Sequence, residues 1–262
     1  MLDLHCHILP GVDDGAADEA DTLAMARVAV ATGCRAVCAS SHLYEGLFST
    51  SADLLETEHA NVVRLLAREK IPLEVFPGAE NFLGPMTAAE FAEKAVPLGP
   101  GRRYVLFDFA MDELVPHVGE AVEALARRDR VALIAHPERN RVLQADPRPV
   151  AEWIAAGARI QVNAGSVLGR LGEGALHSAH GLLEAGAVHA LASDAHGVGK
   201  RRPFCLDAGR DAAAEIVGPD GAERLTRENP WRIARGEPVD AGPVTFDAPR
   251  GTRFWKRLLG GQ

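Results

Sequence analysis

Met1-Leu2-Asp3-Leu4-His5-Cys6-His7-Ile8-Leu9-Pro10-Gly11-Val12-Asp13-Asp14 opens the chain, and its reading decides the fold. A short apolar entry runs into His-x-His, then into a Pro-Gly turn and two aspartates. On a strand, residues i and i+2 point to the same side, so His5 and His7 present two imidazoles to one point. Imidazole is a common ligand for divalent metals. The Pro10-Gly11 turn folds the chain back and brings Asp13 or Asp14 within reach. A lone His-x-His is more often a pair of ordinary surface or core histidines. The weight comes from similar fragments that return downstream.

Outward from this stretch, helical and extended patterns alternate. Residues 18–32 repeat apolar positions at helical spacing after an acidic first turn, and Gly33 stops them. Residues 35–40 read as a short buried strand ending in Ser41-His42. A helix over 49–69 follows, then a strand at 73–76 closing in Pro77-Gly78-Ala79-Glu80. The strand at 103–107 ends at Asp108, and the one at 131–135 ends at His136, with a helix over 114–128 between them. A helix over 150–156, a strand at 159–163 and a helix over 176–185 lead to the strand at 188–193, which ends at Asp194-Ala195-His196. Seven strands, each followed by a helix or a long loop, predict an α/β protein with a parallel sheet, either a barrel or doubly wound.

Position carries the functional signal. His5 and His7, His42, Glu80, Asp108, His136, and Asp194 with His196 all sit at or just beyond the C-terminal ends of expected strands. In an α/β barrel those ends converge on one mouth, where active sites are built. Singly, each has a bland explanation: a helix cap, an ion pair with arginine, a turn residue before proline. Six of seven strands ending so points to a shared site. The sixth strand is the exception and ends in Asn163, which also hydrogen-bonds inward. His59, His117, His177, His180 and His189 lie elsewhere and read as ordinary residues.

Composition sets the outer limits. A chain of 262 residues with 47% hydrophobic and 24% charged residues is ordinary for a globular domain and long enough for a large core. A formal charge of -8 argues against a nucleic-acid partner gripped through phosphates. Two basic clusters, Lys200-Arg201-Arg202 and Arg250, Arg253, Lys256 and Arg257, do not reverse this, and the second reads as a solvated tail. Cys6, Cys34, Cys38 and Cys205 read as buried small hydrophobes in a reducing compartment. With no secretory leader and no apolar run of membrane-spanning length, the expected location is the cytoplasm.

The set of fragments resembles the polymerase-and-histidinol-phosphatase (PHP) superfamily: a first-strand His-x-His, a His after the second strand, a Glu after the third, a late lone His and a final Asp-x-His. More narrowly, residues 3–15 are similar to the opening of the manganese-dependent protein-tyrosine phosphatases of capsule and exopolysaccharide systems. Pro77-Gly78-Ala79-Glu80, Ala135-His136-Pro137-Glu138-Arg139, Ser193-Asp194-Ala195-His196, Glu228-Asn229-Pro230 and Arg235-Gly236-Glu237-Pro238 match the same branch. The resemblance implies a single-domain, distorted (β/α)7 TIM-like barrel over about residues 1–240, with 241–262 as a tail. It implies two to three divalent ions, manganese first with iron or zinc as alternatives, held by His5, His7, Asp14, His42, Glu80, Asp108, His136, Asp194 and His196. Relatives usually carry Glu where this chain has Asp108, which is one methylene shorter and puts full three-metal occupancy in question.

The activity so implied is hydrolysis of phosphotyrosine, on a bacterial tyrosine kinase of polysaccharide synthesis or export, by attack of a metal-held hydroxide. Arg139 and Arg202 match the family's phosphate clamp, with Arg201 as the competitor for the second place. A cysteine-based phosphatase needs Cys-x5-Arg; Arg210 follows Cys205 by only five positions, and neither Cys34 nor Cys38 has an arginine at plus six. Two other functions stay open at this point. One is a phosphatase of small phosphomonoesters such as histidinol phosphate, and the other is a non-catalytic metal-binding regulator that docks on a kinase.

Overall fold

Nine strand segments, each parallel to its neighbours, form the wall of the protein in a computed structural model that describes residues 1–44, 46–113, 117–199 and 202–246. They are β1 (Leu2–Cys6), β2 (Ala36–Ala39), β3 (His42–Leu43), β4 (Glu74–Phe76), β5 (Glu80–Phe82), β6 (Tyr104–Asp108), β7 (Val131–Ala135), β8 (Arg159–Asn163) and β9 (Ala190–Ala192). The seven strands expected from sequence are present, but two are broken. Ser40-Ser41 separates β2 from β3, and Pro77-Gly78-Ala79 separates β4 from β5. Proline has no N–H to give a ladder, so a break there is natural. The β2–β4 pairing continues past the breaks as β3–β5, while the outer neighbour changes from β1 beside β2 to β6 beside β5, giving the orders β1-β2-β4 and β3-β5-β6-β7-β8-β9.

The two sheets join at their ends. Asp194 N donates to His5 O at 2.8 Å and His7 N donates to Ala195 O at 2.9 Å. The buried carboxylate of Asp3 accepts from Ser193 N at 3.0 Å and from His5 N at 3.2 Å. These bonds tie the first strand to the last and wrap the wall into a barrel.

Helices cover the outside: α1 (Glu19–Ala31), α2 (Ala52–Arg68), α3 (Ala88–Lys94), α4 (Val118–Ala126), α5 (Arg141–Ala145), α6 (Arg148–Ala155), α7 (Ala164–Val167), α8 (Glu173–Glu184), α9 (Leu206–Glu223) and α10 (Asn229–Ala234). Four begin on side-chain caps: Asp18 accepts from Asp21 N, Ser51 from Leu54 N, Asn140 from Val142 N and Leu143 N, and Thr87 with Glu90 forms a capping box. The helix expected from residue 114 starts at Val118, and residues 114–116 lie outside the described residues. The one expected from 150 starts at Arg148, and the one from 176 starts at Glu173. Short α3, α5 and α7 gave no long periodic stripe to read. Helix α9 is kinked where Gly218 takes φ 76° before Pro219.

Two layers of apolar side chains follow from strand alternation. Leu2, Leu4, Cys38, Tyr104, Leu106 and Leu133 form one buried cluster, closed from below by Ile233 of α10. Cys6, Val37, Val75, Val105 and Ile134 belong to the larger cluster between wall and helices. In β1 the pairing register to β2 shifts between Asp3 and Cys6. A one-residue slip reverses the facing of side chains. The shift lets Leu2 and Leu4 fill the barrel floor while His5 and His7 still point into its mouth. Past the last helix, the Tyr104 hydroxyl donates to Glu237 O and accepts from Val239 N, and His189 bonds Ala241 O. Residues 247–262, with Arg250, Arg253, Lys256 and Arg257, lie outside the described residues.

Candidate metal centre

The donors named from sequence converge at the mouth. His7, Asp14, His42 and His196 form one group, His5, His7 and Glu80 a second, and Glu80, Asp108 and His136 a third; within each, the donor atoms lie within 4.8 Å of one another. His7 and Glu80 each belong to two groups. Asp194 sits among them, with Oδ1 3.5 Å from His5 Nε2 and 3.4 Å from His7 Nε2. All nine residues are therefore in one place. Arg139 Nη1 donates to Asp194 Oδ2 at 3.1 Å. Arg202 Nη1 reaches both Asp194 oxygens at 3.2 Å, and its Nη2 reaches Asp14 Oδ2 at 3.1 Å. Arg201, the competitor, lies outside the described residues.

Hydrogen bonds fix which imidazole nitrogen faces inward. A carboxylate only accepts, so Asn163, 2.7 Å from Asp194 Oδ2, presents its Nδ2 there and turns its Oδ1 to Gln161. Gln161 then donates Nε2–H to Asn163 Oδ1 at 2.8 Å and faces its Oε1 to His5 Nδ1 at 3.0 Å. His5 thus carries its proton on Nδ1. His7 donates Nδ1–H to Asp13 Oδ2 at 2.8 Å, and His196 donates Nδ1–H to Asp194 O at 2.9 Å. All three aim an Nε2 lone pair at the centre, the arrangement in which a metal-binding histidine is held by its outer partners.

Without a cation this arrangement is unfavourable. His5 Nε2 and His7 Nε2 face each other at 3.1 Å. Asp108 Oδ1 is buried with no hydrogen bond, and Glu80 Oε2 has two imidazole nitrogens, His5 Nε2 at 3.2 Å and His7 Nε2 at 3.4 Å, crowded against it. Buried acceptors facing acceptors carry a desolvation penalty that a positive ion removes. The residues fit a divalent metal cluster.

Charge in the metal-free protein leads to the same conclusion. Burial alone raises Glu80 and Asp194, but the facing imidazoles, with Arg202 beside Asp194, outweigh it and hold both carboxylates well below their usual range. Burial lowers His42, yet Glu80 and Asp14 lift it to about 9. Burial also lowers His7, and Asp13, Asp194 and Glu80 lift it well above its ordinary value. Asp108 is pushed well up, first by burial and then by Glu80. The acidic cluster thus draws protons to the places where metal charge belongs.

Local backbone supports the geometry. His136, Asp194 and Arg202 adopt φ of 32°, 53° and 41°, the left-handed region that costs a non-glycine residue roughly 1–2 kcal/mol each. His136 and Asp194 turn sharply just past β7 and β9, which aims both side chains into the mouth, and Arg202 bends the loop beyond β9 so that its guanidinium reaches Asp194. Gly15 closes the opening loop: a Cβ on it would lie 2.3 Å from His7 O, so only glycine lets Asp13 and Asp14 approach. On one side the mouth is aromatic. Phe48 lies face to face on His42 with centroids 5.1 Å apart, and Tyr44 stacks on Phe82 at 3.8 Å.

Two residues of the centre were not assigned from sequence. Asp13, left open beside Asp14, orients His7 and also accepts from His42 N at 2.8 Å. Gln161 reads in sequence as strand interior, yet it shares a face with Asn163, and strand alternation points both inward.

Residues 1–235 match the profile of the family described as capsular polysaccharide synthesis, CpsB/CapC. The chain belongs to the CpsB/CapC family. Among relatives, the tyrosine-protein phosphatase YwqE of Bacillus subtilis is 34% identical over 78% of this chain and 80% of its own length. The tyrosine-protein phosphatase CpsB of Streptococcus pneumoniae is 28% identical over 89% of this chain and 98% of its own. A solved structure from work on YwqE and CpsB, described there as unique metal-dependent tyrosine phosphatases, matches with TM-score 0.88 and 30% identity over 95% of this CpsB/CapC chain and 100% of that one. A lactonase from Listeria monocytogenes, with TM-score 0.54 and 12% identity, shares the fold alone. No helix among the described residues is long and apolar enough to cross a membrane.

Proposed function

We propose that this chain is a metal-dependent protein-tyrosine phosphatase, hydrolysing phosphotyrosine to tyrosine and inorganic phosphate. The observation that carries the reading is the meeting of nine metal donors with two arginines that share one carboxylate, Asp194. Family membership and the YwqE and CpsB relatives support it.

His5, His7, Asp14, His42, Glu80, Asp108, His136, Asp194 and His196 would hold two to three ions. Five imidazoles and four carboxylates suit manganese, iron or zinc, and manganese is our reading from the family likeness. Bound ions of this kind supply an activated water at neutral pH and neutralise phosphoryl charge. Arg139 and Arg202 grip phosphate oxygens through their planar guanidinium forks, and while no phosphate is bound they rest on Asp194. Asp13, Gln161 and Asn163 hold the imidazoles and Asp194 at fixed angles, so that little reorganisation accompanies the reaction. The aromatic side made by Tyr44, Phe48 and Phe82 suits an aryl ester better than an alkyl one. The substrate is a phosphotyrosine-bearing protein, and we take it to be a bacterial tyrosine kinase of polysaccharide synthesis or export. Four buried cysteines, all unpaired, favour the cytoplasm.

The test is phosphate release from a phosphotyrosine peptide by metal-stripped protein, with and without manganese, beside His136→Ala and Arg139→Ala. Manganese-dependent turnover lost in both variants is the expected result. Turnover of histidinol phosphate far above that of the peptide would replace the substrate. No turnover of either by folded, metal-loaded protein would leave a docking regulator.

A further inference from the structure

Glu138 is a fully buried carboxylate between His136 and Arg139, and neither metal binding nor the phosphate clamp uses it. Its place follows from the pairing of the strands behind it. Strands β7 and β8 run parallel, with Leu133, Ile134 and Ala135 opposite Arg159, Ile160 and Gln161. Continued by one residue, that register sets His136 opposite Val162. His136 N donates to Gln161 O at 2.8 Å. In a parallel ladder, a residue that donates to the position before its opposite number accepts from the position after it. The next rung would therefore run from Asn163 N to His136 O.

That rung is not made. His136 takes φ 32° and ψ 51°, and its carbonyl accepts from Arg139 N at 3.0 Å, closing a single 3-10 turn over Pro137–Arg139. Asn163, also fully buried, is left with a backbone N–H that the strand no longer serves. Glu138 Oε1 takes the missing place, accepting from Asn163 N at 3.1 Å and from Ser166 Oγ of α7 at 2.6 Å. Gln144 of α5 holds the same residue from the other side, donating Nε2–H to Glu138 O at 2.9 Å. A left-handed turn at a non-glycine residue persists only where its surroundings over-determine it, and these three bonds do so.

The turn directs two functional side chains. His136 Nε2 reaches Glu80 Oε1 at 2.8 Å, and Arg139 Nη1 reaches Asp194 Oδ2 at 3.1 Å. Asn163, whose N–H is bound by Glu138, also bonds Asp194 Oδ2 through its Nδ2 at 2.7 Å. One carboxylate oxygen thus ties the loop that carries Arg139 to the residue that fixes the resting partner of Arg139. An apolar side chain of similar volume would fill the space but leave a buried N–H without an acceptor.

We propose that Glu138 is a positioning residue that replaces the lost rung between β7 and β8 and thereby holds Arg139 where it grips phosphate. Glu138 acts through Arg139 and does not touch the substrate. The proposal rests on the phosphotyrosine reading and extends it to the support of the clamp.

The experiment uses the manganese-saturated protein as wild type, Glu138→Gln, Glu138→Leu, Ser166→Ala, Arg139→Ala and the combination of Glu138→Leu with Arg139→Ala. Thermal unfolding and manganese content establish that each is folded and loaded. Two quantities are read: kcat/KM for a phosphotyrosine peptide, and the Kd of inorganic phosphate by calorimetry. Glu138→Leu is expected to lower kcat/KM by about 10²-fold, the scale of an ångström-sized misplacement, and to weaken phosphate binding by about tenfold. Glu138→Gln keeps an oxygen acceptor and stays within about threefold of wild type in both. In the Arg139→Ala background, Glu138→Leu adds less than about twofold, since the residue it supports is gone. Ser166→Ala, which removes one donor and keeps the rung, weakens phosphate binding by about threefold.

Unchanged phosphate affinity in Glu138→Leu overturns the proposal. So do effects of Glu138→Leu and Arg139→Ala that multiply in the combined variant, and a Glu138→Gln protein as impaired as Glu138→Leu. If Glu138→Leu does not fold, an unchanged phosphate Kd in Ser166→Ala overturns it instead. Wild-type protein that binds phosphate but turns over no phosphotyrosine peptide overturns the phosphotyrosine reading, and the phosphate affinities of the variants still decide the role of Glu138.

Discussion

Oε1 of Gln161 lies 3.0 Å from Nδ1 of His5, so a neutral amide on β8 decides which nitrogen of a β1 histidine faces the centre. Gln161→Leu removes that acceptor and leaves Asn163 Oδ1 without its donor. Loss of an outer partner of a metal-binding histidine weakens metal affinity by about 10–100-fold. Manganese titration of the metal-stripped variant is expected to show that weakening. Turnover at saturating manganese falls by a smaller factor, because every direct ligand remains.

Arg139 and Arg202 approach Asp194 with guanidinium geometry. Arg139→Lys and Arg202→Lys keep the charge but lose the planar fork, and each is expected to lower kcat/KM by about 10²-fold. Inhibition by inorganic phosphate weakens in the same variants. A lysine variant with unchanged phosphate inhibition would remove that arginine from the clamp.

Asp108 makes opposite predictions for the two metal states. In the metal-free protein its carboxyl is buried beside Glu80 and held well above the ordinary range, first by burial and then by that neighbour. Asp108→Asn keeps the shape and removes the charge conflict, so the metal-free protein is expected to melt higher than wild type. With manganese the order reverses, since a ligand has been lost and stabilisation by binding shrinks. Thermal unfolding with and without metal, together with metal content per chain, checks both signs.

His189, away from the centre, gives a pH signature of its own. Its Nδ1 accepts from Ile160 N at 3.1 Å, which requires a neutral ring, and burial with Arg159 nearby lowers its pKa from 6.5 to about 4. The unfolded chain binds the extra proton first, so stability from this group is full above pH 6.5 and is lost as pH falls toward 4. The loss is on the order of 2 kcal/mol. Denaturant unfolding of metal-free wild type and His189→Gln at pH 7.5 and pH 5 is expected to show a smaller acid loss in the variant.

Much of this was legible in the sequence, for identifiable reasons. Strand ends could be named because six of the seven apolar runs stop at a polar, metal-competent residue, as in Ala135-His136 and Ser193-Asp194. The breaks at Ser40-Ser41 and Pro77-Gly78-Ala79 were not, because each reads as the end of a strand instead of a pause within one. The facing of Leu4 and His5 toward one interior depends on a register shift between β1 and β2, a pairing property that no single strand displays. The left-handed turns at His136, Asp194 and Arg202 also escaped, since none is glycine and tertiary contacts impose them. Gln161 carries no sequence signal of its own, because a single amide inside the buried run Arg159–Asn163 is not a metal ligand.

The two broken strands divide labour along the barrel axis. Below each break, Ala36–Ala39 and Glu74–Phe76 carry core side chains; above it, His42 and Glu80 carry chemistry on segments of two and three residues. Each upper segment has its own hydrogen-bonding neighbours, so its side chains can be exchanged or re-aimed without disturbing the floor beneath. A lineage built on this barrel is free to try new reactive groups at those two positions while its packing stays inherited.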